Sequence, residues 1–250
     1  MSVTISLNQE KSNSINFFWG SWPTNVFSLW IPECWGFSND KVRLWVQDPL
    51  EWKCEAGTVR VDVKHHFEEY CFAWRLELTP EEDSVKLELR VTNTGTVTLP
   101  SFFHINGCLN FINAPDFMDS TGASTFFRTG KGWQSMVPWR RRQSLQQGHD
   151  PYHILLEGCE DSEDVELLED VHTVSSLCVR HSRDNQHAIG FAWDSPLRID
   201  INFNRQHCIH SVPRIGPLSP GEAKTILGKI YFHEGTKDEL VHRLEEDGLS

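Results

Sequence analysis

Two short stretches of this 250-residue chain carry side chains suited to acid–base chemistry. In the first, His104 lies in a largely apolar segment a few residues before Asn110. The second reads His207-Cys-Ile-His210. An imidazole titrates near neutral pH, so a histidine can give or take a proton under working conditions. His104 and His210 are therefore candidates for general acid–base chemistry.

The same histidines offer a metal site as an alternative. His207, Cys208 and His210, joined by His104 from another strand, have the ligand chemistry of a transition-metal centre. In an extended strand, however, residues three apart point to opposite faces. His207 and His210 then converge only if the chain turns between them, and we expect neither a metal nor another cofactor.

Polar side chains elsewhere extend the predicted binding surface. Asn202 and Asn204 lie on one face of their strand, and an amide can both donate to and accept from a hydroxyl. Arg128 can hold a hydroxyl or a carboxylate with its planar fork of donors. His207 completes this set of predicted substrate-binding residues.

Tryptophan is unusually abundant, and six of the ten tryptophans fall within the first 52 residues. Indole rings bury large apolar areas, so most of them must pack in the core. The apolar C–H face of a sugar also packs well on an indole. Trp19, Trp35 and Trp74 are predicted to line such a binding groove.

Alternating apolar and polar residues dominate the pattern and predict β-strands, each with one buried and one solvent-facing side. Short polar turns separate them, which is typical of an antiparallel sandwich rather than of βαβ units. A capping box at Thr236–Glu239 predicts a short C-terminal helix that ends at Gly248. We expect one domain over residues 1–250, with the Trp-rich residues 1–55 packed on it as an extension. The predicted strands cover residues 58–64, 71–78, 84–91, 198–203 and 226–232.

Composition excludes several classes of protein. A formal net charge of −12 disfavours a nucleic-acid partner, which needs a basic face. No apolar run approaches the roughly 18 residues of a membrane span. The seven cysteines are scattered without a C-x-x-C pair, which favours reduced thiols, and the first residues lack an apolar leader core. A cytoplasmic protein is expected.

Two motifs resemble the galactose mutarotase-like (aldose 1-epimerase-like) proteins. A strand ends in Thr92-Asn93, and after a turn the next strand leads to His104 and Asn110. The stretch Pro217–Glu222 then resembles the closing turn of that family. The likeness covers roughly residues 58–112 and 186–233, and the tail is similar to uncharacterised bacterial members. It implies an all-β antiparallel β-supersandwich that binds a sugar across one concave sheet.

The resemblance also implies roles for the site. His104 matches the histidine that donates to the sugar ring oxygen, whereas the family's basic glutamate has no counterpart in residues 202–211. His210 or His207 would have to serve as the base. The resulting prediction is a protein that binds a small-molecule carbohydrate, a sugar or sugar acid, with epimerase or lyase chemistry. The alternative is a non-catalytic carbohydrate-binding or interaction module that keeps only the fold, and the sequence does not fix the oligomeric state.

Overall fold

The structure is a computed structural model, and it describes residues 3–7, 14–20, 25–37, 42–45, 50–67, 70–101, 103–139, 152–159, 171–203 and 207–246. Within these ranges, side chains are described except for residues 30–37, 42–45, 67 and 152–153.

Antiparallel strands make up most of the described chain. In chain order they are β1 (Val3–Leu7), β2 (Ser14–Trp19), β3 (Phe27–Phe37), β4 (Val42–Trp45), β5 (Lys53–Glu55), β6 (Thr58–Phe67), β7 (Tyr70–Pro80), β8 (Ser84–Asn93), β9 (His104–Asn110), β10 (Thr125–Thr129), β11 (Gly132–Ser135), β12 (Tyr152–Leu155), β13 (Cys178–His181), β14 (His187–Trp193), β15 (Pro196–Ile201), β16 (Ile209–Pro213) and β17 (Ala223–Glu234). A 3-10 helix follows β9 at Pro115–Phe117, and helix α1 (Lys237–Glu246) follows β17.

The described strands form two sheets. The first sheet has the order β1-β2-β3-β9-β16-β15-β12, with β4 paired to β3. The second sheet has the order β11-β10-β13-β14-β17-β8-β7-β6-β5. In the first sheet β16 lies between β9 and β15, although a long stretch of chain separates β9 from the consecutive strands β15 and β16. The chain therefore brings the stretch around His104 and the stretch around His210 together at the centre of this sheet.

A shared hydrophobic core lies between the sheets. On β9, Ile105 and Leu109 face this core, where they join Phe191 and Ile230 of the second sheet. Gly107 lies on the same side, because a Cβ there would contact Leu29 and Phe191. The predicted all-β antiparallel sandwich is confirmed, and so are the five predicted strands, which correspond to β6, β7, β8, β15 and β17.

Strand β15 departs from the expected alternation. Its inward residues Ile199 and Ile201 are in the core, as predicted. The expectation of a solvent-facing second side is wrong, because Arg198 and Asp200 are buried as well. The outer side of this strand is therefore covered, unlike that of an ordinary sandwich strand.

The predicted C-terminal helix is confirmed over Lys237–Glu246, and its predicted end at Gly248 lies outside the described residues. Thr236 and Glu239 form the capping box, with the Glu239 carboxylate accepting from the Thr236 N–H at 2.6 Å and the Glu239 N–H donating to the Thr236 hydroxyl at 3.3 Å. Leu240, Val241 and Leu244 pack on the second sheet in a cluster with Tyr231. No described helix is long and apolar enough to cross a membrane.

We expect Gly228 on β17 to be intolerant of any side chain. Gly228 pairs with Trp193 in the register, and a Cβ there would lie 2.8 Å from Cζ3 of Trp193 and closer still to other atoms of that ring. Gly228→Ala should therefore lower the free energy of unfolding by about 1–3 kcal/mol, measured by urea denaturation. Gly130→Ala is the matched control, because a Cβ at Gly130 meets nothing within 4 Å. Equal effects of the two substitutions would show that the Trp193 contact does not matter.

Candidate functional site

The outer side of the first sheet is polar along its three central strands. Side chains alternate between the two sides of a strand, so the residues next to the inward Ile105, Leu109 and Ile199 point outward. Asp200 pairs with His210 across β15 and β16, and Ile209 pairs with Leu109 across β16 and β9. We call this surface the outer polar face, and it consists of His104, Asn106, Cys108, Asn110, Arg198, Asp200, Cys208 and His210.

The outer polar face is buried, although it does not face the second sheet. His104 is 2% exposed, Arg198 1% and Asp200 2%. Polar groups withdrawn from water in this way are costly unless they are paired. The face is thus a buried, hydrogen-bonded surface rather than an ordinary solvent-facing side of a sheet.

Arg198 links two of these groups. Its Nε donates to Asp200 Oδ1 at 2.8 Å, and its Nη2 lies 3.1 Å from His104 Nε2. A guanidinium has donors and no acceptor, so Nε2 of His104 must accept this bond. The imidazole of His104 is then neutral and carries its proton on Nδ1.

His210 is held from both sides. Its Nδ1 lies 2.8 Å from Asn106 Oδ1, and its Nε2 lies 3.0 Å from Cys208 Sγ. Because an amide oxygen only accepts, Nδ1 carries a proton and donates to Asn106. Nε2 is then the atom of the ring that exchanges a proton with the Cys208 thiol.

The Cys208 thiol is strongly perturbed. Burial raises its pKa, but a hydrogen bond with Cys108 and the charges of His210 and Arg180 outweigh burial and lower the pKa to about 5. A lowered pKa favours the thiolate, which is the form of cysteine that binds metal ions. Cys108 Sγ, Cys208 Sγ and an imidazole nitrogen of His210 lie within 4.8 Å of one another, which makes them donors suited to a soft metal ion.

Arg180 supports this cluster from the second sheet. It is fully buried, its Nε donates to the Thr125 hydroxyl at 2.9 Å, and its Nη1 donates to the carbonyl of His207. Its guanidinium also lies over the Phe111 ring, 4.7 Å from the centroid. Burial lowers the pKa of Arg180, and the charge of Asp119 opposes that shift. Arg180 thus fixes the backbone immediately before Cys208.

The structure places the two predicted catalytic histidines on the same side of the first sheet. His104 and His210 both lie on the outer polar face, connected through neighbouring strands. Asn202 adjoins the cluster, since its N–H donates to the Cys208 carbonyl at 3.0 Å. His207 adopts a left-handed backbone (φ 48°) and its Nδ1 lies 3.2 Å from the Asp119 carbonyl. The roles of these four residues stay predictions.

Three of the other predicted binding residues lie elsewhere. Arg128 lies on β10 of the second sheet. Trp19 and Trp74 are buried in the core between the sheets. Trp35 pairs with His104 in the backbone register, but its side chain is outside the described residues, as is Asn204 altogether.

Sequence reasoning missed Arg198, Asp200, Asn106 and Cys108. The signal was present in the alternation itself, because 198, 200 and 202 share one side of a strand, as do 104, 106 and 108. The metal alternative included Cys208 and His210 but missed Cys108. The structure gathers Cys108 with Cys208 and His210, rather than His207 with His104.

We expect the buried ion pair to be sensitive to loss of one partner. Arg198→Met leaves the Asp200 carboxylate buried without its counter-charge, which should lower the free energy of unfolding by about 3–5 kcal/mol in urea titrations. The double variant Arg198→Met/Asp200→Leu should recover most of this loss. Arg60→Met is the control, since the pair Arg60–Asp62 is exposed and should contribute less than about 1 kcal/mol. A cost for Arg198→Met no larger than that of the control would contradict the buried pairing.

Asp119 should make stability depend on acid pH. Burial raises the pKa of Asp119, but the charge of Arg180, the Thr125 hydroxyl and backbone N–H groups outweigh burial and lower it. A lowered carboxyl pKa stabilises the fold above the unfolded value of about 3.9, and the effect disappears as the pH falls through the folded value. Asp119→Asn should therefore destabilise the protein at pH 7, and its difference from wild type should shrink below about pH 4 in urea titrations. A difference that stays constant with pH would refute this assignment.

No protein-family model and no curated protein matches the chain. Among solved structures, the Slr1438 protein from Synechocystis sp. PCC 6803 matches with a TM-score of 0.57 at 9% identity, over 93% of this chain and 92% of that chain. A galactose mutarotase-like protein from Lactobacillus casei matches with a TM-score of 0.49 at 11% identity, over 92% and 100% of the two chains. A galactose mutarotase related enzyme from Lactobacillus acidophilus matches with a TM-score of 0.47 at 10% identity, over 95% and 99%. At 9% identity, the match to the Slr1438 protein is a likeness of fold alone.

Proposed function

We propose that the outer polar face binds a neutral carbohydrate and interconverts its anomers by acid–base catalysis. The observation that carries the proposal is the buried set of polar side chains on three adjacent strands, around His104, Arg198 and Asp200. Buried polar groups that converge in one place are the usual mark of a ligand site. The His104 motif of the sequence supports a sugar as the ligand.

The chemistry of the face suits hydroxyl groups. Asn106 and Asn110 offer amides that both donate and accept, and a hydroxyl needs both. The two formal charges, on Arg198 and Asp200, compensate each other at 2.8 Å. A compensated pair favours a neutral sugar over a sugar acid, which would require an Arg with uncompensated charge. This also disfavours lyase chemistry, which removes a proton next to a carboxylate.

Anomer exchange requires one acid and one base. The base removes the proton of the anomeric hydroxyl while the acid protonates the ring oxygen. The C1–O5 bond then breaks as the C1 carbonyl forms, and the ring recloses on the other face of C1. His104 is the proposed acid, because its Nδ1 carries the proton when Nε2 accepts from Arg198. Giving up that proton leaves an imidazolate, whose negative charge the adjacent Arg198 guanidinium compensates until the proton returns. The reclosure returns both protons, so neither residue is changed by a full cycle.

Asp200 is the proposed base. The family's glutamate is missing from residues 202–211, but Asp200 lies just before that stretch. Among the residues of strands β9, β15 and β16, Asp200 is the one that carries a carboxylate. His210 stands directly opposite Asp200 in the register and is the alternative base. Variants at the two positions distinguish these assignments.

The test follows exchange of freshly dissolved α-aldoses by NMR, with binding followed in parallel by ligand-induced thermal shift. Wild type should exceed the buffer rate on at least one neutral aldose. His104→Gln and Asp200→Asn should each lower that rate about 10²–10⁴-fold. The control is His242→Ala, since His242 is an exposed helical residue with only a surface contact to Glu246.

Other outcomes are equally informative. If His210→Gln abolishes exchange while Asp200→Asn does not, the base is His210. Binding without exchange by the wild type would refute the catalytic role and leave a carbohydrate-binding module. Absence of both across a neutral sugar panel would refute the proposed function.

A further inference from the structure

We propose that Cys108, Cys208 and His210 form a binding site for a divalent transition-metal ion of the zinc class. One ligand atom from each lies within 4.8 Å of the other two, and all three residues are buried. Cys108 comes from β9, His210 from β16, and Cys208 directly precedes β16. The site does not depend on sugar binding by the rest of the face.

The spacing fits such an ion closely. Zinc bonds thiolate sulfur at about 2.3 Å and imidazole nitrogen at about 2.0–2.1 Å, which places tetrahedral ligand atoms roughly 3.5–3.8 Å apart. Cys208 Sγ and His210 Nε2 are already 3.0 Å apart. Small side-chain rotations on two paired strands therefore suffice to admit the ion.

The choice of donors selects the class of metal. Two thiolates and one imidazole suit zinc and similar borderline-soft ions, whereas magnesium and calcium prefer oxygen ligands. Coordination of M²⁺ releases two protons to solvent, one from the Cys108 thiol and one that Cys208 shares with His210 Nε2. The resulting set of one dication and two thiolates is neutral, which lowers the cost of burying it.

Asn106 orients the imidazole of His210, in the way that a hydrogen-bond acceptor next to a metal ligand usually does. His210 donates from Nδ1 to Asn106 Oδ1 at 2.8 Å, which leaves Nε2 on the side of Cys208. Histidine ligands generally give their other N–H to such an acceptor, which fixes the tautomer and the ring orientation. Asn106 is thus the proposed positioning residue of the site.

The described residues supply three ligands, which is the number of protein ligands in catalytic zinc sites. A fourth position would take water or an exchangeable oxygen ligand. The bond between His210 and Asn106 ties the ion to the outer polar face, so this fourth ligand would lie beside that face.

The primary experiment uses the full chain without a histidine tag, kept reduced, loaded with Zn²⁺ and desalted. Elemental analysis should find close to one zinc ion per chain. The Co²⁺-loaded form should show thiolate-to-cobalt charge-transfer absorption in the near ultraviolet. Far less than one ion per chain, without that absorption, would overturn the proposal and leave Cys208 and His210 as a thiol–imidazole pair.

Variants locate the ion. Cys108→Ala and Cys208→Ala should each lose stoichiometric zinc and the charge-transfer band. Cys178→Ala should keep both, because Cys178 is a buried cysteine of the second sheet outside the cluster. Retention of zinc by both cluster variants would overturn the assignment, and circular dichroism of each variant identifies any that fails to fold.

The positioning role has its own measurement. Competition with a chromogenic chelator should show zinc affinity about 10–100-fold weaker in Asn106→Ala. Asn106→Asp keeps an oxygen acceptor for His210 Nδ1 and should restore affinity to within a few-fold of wild type. Equal affinity in all three proteins would refute the role of Asn106, and it would do so whether or not the protein acts on sugars.

Discussion

The buried guanidinium of Arg198 is the constraint on which the outer polar face depends. A charge at 1% exposure must be compensated and must have its donors bonded, because the desolvation cost is several kcal/mol. Asp200 supplies the compensating charge and His104 accepts a further bond. These two contacts fix the tautomer of His104 and the position of the carboxylate, so they decide which atoms a ligand would meet.

A second buried guanidinium, that of Arg180, constrains the start of strand β16, as Arg198 constrains strand β15. Its side chain extends from the second sheet and donates to the carbonyl of His207. The negative charge of Asp119 interacts favourably with this guanidinium. The backbone of Cys208 is thereby held in place relative to both sheets. The apolar core alone would not fix the position of this backbone segment, because hydrophobic contacts are non-directional. Two buried cations thus position the polar side chains of the outer polar face within a largely apolar sandwich.

The strands and the terminal helix follow from local sequence, whereas the site follows from pairing. The alternation of apolar residues such as Val59 and Val61 with polar neighbours is a local property of the sequence. The capping box that begins at Thr236 likewise spans only four residues. His104 meets Arg198 across 94 positions of sequence, and His210 meets Asn106 across 104. Such contacts depend on which strands become neighbours, which a pattern of alternation does not encode. For the same reason Arg198 and Asp200 were expected to face solvent: alternation separates two sides of a strand but does not reveal what covers the outer one.

The tautomer of His104 is the most direct measurement of this arrangement. Long-range ¹⁵N–¹H correlation spectra of the imidazole, assigned by comparison with His104→Gln, report which ring nitrogen carries the proton. Donation from Arg198 Nη2 to Nε2 requires the neutral ring protonated on Nδ1 at neutral pH. A ring protonated on Nε2, or doubly protonated, would contradict the account, because Arg198 could then donate nothing to it.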